Sequence, residues 1–161
     1  MACRQVLRTM TDASGYNVPV AERPEFLLPA MRPAAFLRDP RGVPLKCLIV
    51  DDNASFLEAA ADLLKREGVT VVGVASDTAD ALRKTKELRP DVVLVDIMLG
   101  HESGIDLAHR LAEANSGGPV IILVSTHAEA DFADLIQEAP VAGFVPKSEL
   151  SAGAVRRLAE A

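Results

Sequence analysis

The stretch Val-Val-Leu-Val-Asp-Ile-Met-Leu-Gly, residues 92–100, decides how the rest of the chain is read. Four apolar residues run without interruption and end at a single carboxylate, Asp96, with Pro90 and Gly100 bracketing the run. A strand covered on both faces has this composition, because neither face needs polar side chains. Periodicity alone also admits a buried helix segment. As a strand, the stretch carries Asp96 at its C-terminal tip.

Upstream, Cys47-Leu-Ile-Val50 repeats the pattern and ends at Asp51-Asp52. Asn53 can cap a helix whose apolar side holds Phe56, Ala60, Leu63 and Leu64, and Gly68 ends it. Residues 69–75 read as a second strand. Ser76 or Asp77 caps a second helix with Ala81, Leu82, Thr85 and Leu88 on one side, and Pro90 blocks its continuation. Downstream, a loop passes through His101 and Glu102, and Ser103 caps a third helix with Leu107, Ala108 and Leu111 inward. Gly117-Gly118-Pro119 makes a turn into a fourth strand at 120–124. A fourth helix with Phe132, Leu135 and Ile136 follows, then a fifth strand at 141–145. Ser148 caps a last helix striped by Leu150, Ala154, Val155 and Leu158.

Five strands alternating with five helices predict an α/β fold, a doubly wound (βα)5 parallel sheet covered on both faces. The expected strand order is 2-1-3-4-5, since the three wholly apolar strands belong in the middle. Ligands of such sheets bind beyond the carboxyl ends of the strands, where the order reverses.

Composition narrows the possibilities. At 161 residues the chain suits one domain with an appendage, and 49% hydrophobic content supplies a core that, with 4% aromatics and no Trp, is aliphatic. Residues 1–44 hold six of the ten prolines and six Arg against four acids, and read as a disordered or loosely docked leader; Met31 offers an internal start. Residues 45–161 carry eleven Lys/Arg against nineteen Asp/Glu, with no basic stripe, so a nucleic-acid surface is not expected. Cys3 and Cys47 lack metal or redox spacing, and no apolar run reaches 18 residues, so a cytoplasmic protein without a membrane span is expected. His101, His109 and His127 are scattered singly and read as surface residues.

The tips collect a particular chemistry. Asp51 and Asp52 follow strand one, Asp96 ends strand three, Ser125 and Thr126 follow strand four, and Lys147 follows strand five. Carboxylates converging within roughly 5 Å repel by about 3 kcal/mol per pair at an effective dielectric near 20, so a positive partner is required. A hard divalent cation such as Mg²⁺ and the Lys147 ammonium both qualify. Phosphoryl transfer uses such a set: a carboxylate nucleophile, here Asp96, with a metal and donors for the equatorial oxygens.

With these residues in order, residues 45–161 resemble the receiver domain of two-component response regulators, a family with a flavodoxin-like fold. The resemblance rests on Asp51-Asp52, on Asp96-Ile-Met-Leu-Gly with Gly104 eight residues on, on Ser125-Thr126, and on Phe144-Val-Pro-Lys147-Ser. It implies that Asp96 accepts a phosphoryl group from a sensor histidine kinase, in a single-domain regulator that is no classical enzyme. It implies that Asp51, Asp52, Asp96 and the backbone carbonyl of Met98 hold Mg²⁺, and that Ser125 and Lys147 contact the phosphoryl group. Phe144 would change rotamer with Ser125, and Met98, Thr126 and His127 would tune phosphate lifetime. The surface of helix four, strand five and helix five would then switch to bind a downstream protein, with homodimerisation on activation a further expectation. Gly100 stands where the family often has proline, which implies a looser loop, and Thr126 is bulkier than the family favours. The ending resembles regulators that continue into a helix-turn-helix. The competing readings are a phosphorylation-independent pseudo-receiver and the receiver fragment of a DNA-binding regulator. A hydrolase would want a second aspartate where Met98 stands, and a flavin carrier would not place Asp51-Asp52 at its phosphate loop.

Overall fold

The computed structural model describes residues 44–114 and 116–160. Apart from Pro44, the expectations for the leader lie outside the described residues. Strand β1 (Lys46–Val50) is followed by α1 (Ala54–Arg66), β2 (Thr70–Ala75), α2 (Thr78–Leu88) and β3 (Val92–Asp96). A two-stranded antiparallel hairpin comes next, β4 (Met98–Leu99) and β5 (Glu102–Ser103), then α3 (Gly104–Ala114) and β6 (Val120–Ser125). A 3-10 turn (Glu129–Phe132) runs into α4 (Ala133–Glu138), followed by β7 (Gly143–Pro146), a second 3-10 turn (Lys147–Glu149) and α5 (Ala152–Ala159).

The five long strands form one parallel sheet in the order β2-β1-β3-β6-β7, the order expected from the sequence once the hairpin is set aside. Along the three central strands, alternate side chains enter opposite layers, as the two-residue period of a strand requires. Cys47, Ile49, Val92, Leu94, Ile122 and Val124 pack with α1 and α5. Leu48, Val50, Val93, Val95, Ile121 and Leu123 pack on the other face with α2 and α3. Each buried aliphatic side chain contributes about 1.5–3 kcal/mol, so these strands anchor the sheet. No helix among the described residues is long and apolar enough to cross a membrane.

Several local expectations are corrected. Helix α1 buries Leu57, Ala60, Ala61 and Leu64, and leaves Phe56 and Leu63 at the margin of the core. Of the two caps the sequence offers for α2, the structure uses Asp77, which accepts from the Asp80 N–H. Ser151, not Ser148, caps α5, because residues 147–149 are taken up by the 3-10 turn. A second cap comes from Glu67, whose carboxylate accepts from the Ala152 N–H at 2.7 Å and ties the end of α1 to the start of α5. Leu135, expected on the apolar stripe of the fourth helix, is 53% exposed; the 3-10 start of this segment rotates Phe132 and Ile136 toward the core and Leu135 outward.

Cys47 is fully buried, as expected of a small core hydrophobe, and burial pushes its thiol up to about 12. The folded state therefore holds this proton where the unfolded chain releases it, and stability falls as pH climbs from about 9 toward about 12. At mildly alkaline pH the native Cys47 is therefore held as the unreactive thiol. Iodoacetamide should leave the Cys47 peptide unmodified in the native protein and label it after urea denaturation, as read by mass spectrometry.

Candidate functional site

The strand ends bring four of the expected groups together. Asp51 follows β1, Asp96 is the last residue of β3, and both are buried; Asp52, beside Asp51, is exposed. One carboxylate oxygen from each of the three lies within 4.8 Å of the others. Lys147, immediately after β7, places its ammonium 2.5 Å from Asp51 Oδ2 and donates a 3.1 Å hydrogen bond to Asp96 Oδ2. The contact with Asp51 is an ion pair by distance but lacks hydrogen-bond alignment, so Asp51 Oδ2 stays buried without a directed donor. The other oxygens are engaged locally: Asp51 Oδ1 accepts from the Asn53 N–H at 2.8 Å, and Asp96 Oδ1 from the Met98 N–H at 3.3 Å.

Electrostatics follow from this packing. Burial raises the Asp96 carboxyl above the ordinary carboxylate range and the neighbouring Asp51 charge raises it further, while Lys147 and the Met98 N–H pull the other way without cancelling the rise. For Lys147, burial alone favours the neutral amine, but its contacts with Asp51 and Asp96 outweigh burial and hold the ammonium above the usual lysine range. An all-oxygen cluster of three carboxylates whose charge one ammonium only partly offsets suits a hard divalent cation, so the donor set fits Mg²⁺.

The remaining expected residues surround this centre. Ser125, the last residue of β6, is buried, and its hydroxyl accepts from the His127 N–H at 3.0 Å, a local turn. Thr126 and His127 are exposed; Thr126 Oγ1 lies 3.5 Å from His127 Nδ1, and the His127 ring meets Phe132 edge-on. Phe144 is half-buried against the α2–α3 layer. The Met98 side chain is 52% exposed.

Two contacts went unread in the sequence, and two glycines that it did single out gain a physical reason. Phe56, taken as core, lies under the Lys147 ammonium with the nitrogen 4.4 Å from the ring centroid, a cation–π contact that helps hold the lysine over the carboxylates. Spacing placed Phe56 on a helix but not opposite residue 147. Glu102 accepts from the Thr78 N–H at 2.8 Å, which holds its carboxyl below the usual range and ties the hairpin to the start of α2. Gly104 closes the hairpin by donating to the Ile97 carbonyl at 2.7 Å, and a Cβ there would sit 1.9 Å from the Asp96 carbonyl oxygen. Gly100 is in the left-handed region at φ 62 and opens the two-residue turn between β4 and β5, a position proline cannot adopt. Glycine here is thus a requirement of the hairpin.

Gly104→Ala should cost about 2–3 kcal/mol, because the added methyl meets the backbone of the carboxylate it would displace; urea unfolding reads it. In EDTA, Asp96→Asn should raise the Tm, since it removes a charge that burial and the neighbouring Asp51 disfavour. A lower Tm for Asp96→Asn would show that Lys147 over-compensates the cluster.

Residues 47–157 match the family model of the response regulator receiver domain. The chain is 40% identical over 91 residues to the DNA-binding response regulator MtrA of Mycobacterium leprae, covering 56% of this chain and 38% of the relative. It is 35% identical over 91 residues to the protein-glutamate methylesterase/protein-glutamine glutaminase 5 of Myxococcus xanthus, covering 56% of this chain and 26% of that protein. The chain therefore spans less than half the length of these curated relatives. Among solved structures, the signal receiver domain of the response regulator NarL from Mycobacterium tuberculosis superposes with a TM-score of 0.63 at 30% identity, covering 73% of this chain and 97% of that one.

Proposed function

We propose that this chain, which belongs to the response regulator receiver domain family, is a phosphorylation-switched signalling module whose phosphoacceptor is Asp96. The observation that carries this reading is the Lys147 ammonium seated between Asp51 and Asp96 at the strand tips, with Asp52 completing the acid cluster. Receiver domains typically bind Mg²⁺ at such an acidic pocket. Here Asp51, Asp52, Asp96 and the Met98 carbonyl would hold it, and its chemistry is to neutralise charge on the transferring phosphoryl oxygens.

In this reading an Asp96 oxygen attacks the phosphorus of a phosphohistidine on a sensor kinase. The new P–O bond forms as the P–N bond breaks, and the departing imidazole nitrogen leaves neutral or takes a proton from water. Lys147 turns its ammonium toward a phosphoryl oxygen, with the Phe56 ring limiting its swing. Ser125 exchanges its bond to the His127 N–H for one to the phosphoryl group, and Phe144 follows. Thr126, His127 and Met98, exposed beside the centre, govern how readily water reaches the acyl phosphate. The α4–β7–α5 surface transmits the change, through a downstream protein or a second copy of the chain. Residues 45–161 form the receiver and residues 1–44 its leader. Since the relatives include a DNA-binding regulator and a methylesterase, the downstream output is not carried by receiver identity.

Incubation with acetyl phosphate and Mg²⁺ should retard the full chain on a Phos-tag gel, with no retarded band in EDTA or for Asp96→Asn. A retarded band that survives Asp96→Asn, or none with the parent chain, sinks the assignment. Phe56→Ala should slow phosphorylation about three- to tenfold, the effect of losing a contact of about 1 kcal/mol that positions the lysine.

A further inference from the structure

Met98 and Leu135 are the two large apolar side chains left exposed among the described residues, at 52% and 53%. They do not lie apart. Both line one groove of about 300 Å³ between the β4–β5 hairpin and α4, whose floor includes Ile105 and Phe132. Exposed apolar groups scattered singly need no explanation, but a shared concavity marks an interaction site. Its volume is at the lower end for a cofactor pocket and suits side chains inserted from a partner.

The surroundings of the groove are acidic. Residues 111–146 contain Glu113, Glu129, Asp131, Asp134 and Glu138 and no Lys or Arg. Asp131, Asp134 and Glu138 are exposed around Leu135, and Glu102 is on the opposite wall. None of the α4 acids is in an ion pair among the described residues. Arg110 is near Glu102 on the hairpin wall, but the α4 side carries acids only; an apolar floor beside a run of one sign of charge selects a partner by charge complementarity.

We propose that this groove docks a basic amphipathic segment of another protein, with one or two aliphatic side chains inserted between Met98 and Leu135 and Lys or Arg residues against the α4 acids. An amphipathic helix offers both at i, i+3 and i+4 spacing. The groove lies on the hairpin side of α4, and its lining begins at Ile97, the residue after Asp96. The inference does not rest on phosphorylation of Asp96.

Fluorescence anisotropy of the full chain with a labelled 15-residue peptide of Leu and Lys, patterned as an amphipathic helix, tests it. Saturable binding is expected, weakened at least tenfold by Leu135→Ser, which leaves the charge unchanged and removes a side chain too exposed to support the fold. Asp134→Asn with Glu138→Gln should weaken binding and flatten its salt dependence, while Glu58→Gln with Asp62→Asn on α1 should not. Methyl NMR shifts on peptide addition should concentrate on Met98, Ile105 and Leu135. Undiminished binding to Leu135→Ser, an equal loss from the α1 pair, or shifts centred elsewhere would overturn the proposal and leave only non-specific attraction to an acidic protein.

Discussion

Two buried carboxylates side by side, Asp51 and Asp96, with the exposed Asp52 beside them, need a cation among them, and in this chain Lys147 supplies one. The rest of the site answers to this constraint. Asp51 and Asp96 come from adjacent strands, but Lys147 follows β7, two strands from β3, and its side chain must cross the tip of β6 to reach them. The Phe56 ring on α1 limits the paths this flexible side chain can take. A single ammonium offsets only part of the charge of three carboxylates, so a second positive charge beside the exposed Asp52 would be stabilised.

The same centre is buttressed by backbone rather than by side-chain packing. The hairpin leaves β3 directly after Asp96 and returns at Gly104, where the chain passes so close to the Asp96 carbonyl that only glycine fits. Glu102 then secures the hairpin to α2. The Asp96 backbone is thereby held on this side of the site, and the segment after β6 is built differently. There α4 has only six residues, too few for much stability of its own, and presents acids and an exposed leucine.

Much of this was legible in the sequence because strands buried on both faces leave a strong signal. The apolar runs ending at Asp51, Asp96 and Ser125 located the central strands, and alternation with amphipathic helices gave the strand order. Boundaries were less legible where capping residues compete. Ser148 and Ser151 are both capping residue types, and the 3-10 turn over 147–149 leaves Ser151 as the cap. The outward turn of Leu135 was hidden for a similar reason, because a 3-10 start shifts the helical phase that the 3.6-residue period assumes.

The sequence by itself determined the parallel sheet, its order, and the identity of the charged groups at its tips, because side-chain period and hydrophobic run length act locally. Only the tertiary structure decided what those groups touch. The ring beneath Lys147, the glutamate on Thr78 and the groove shared by the hairpin and Leu135 all join residues far apart in the chain. Their geometry depends on how helices settle against the sheet, a sum of many small packing terms that no local pattern records.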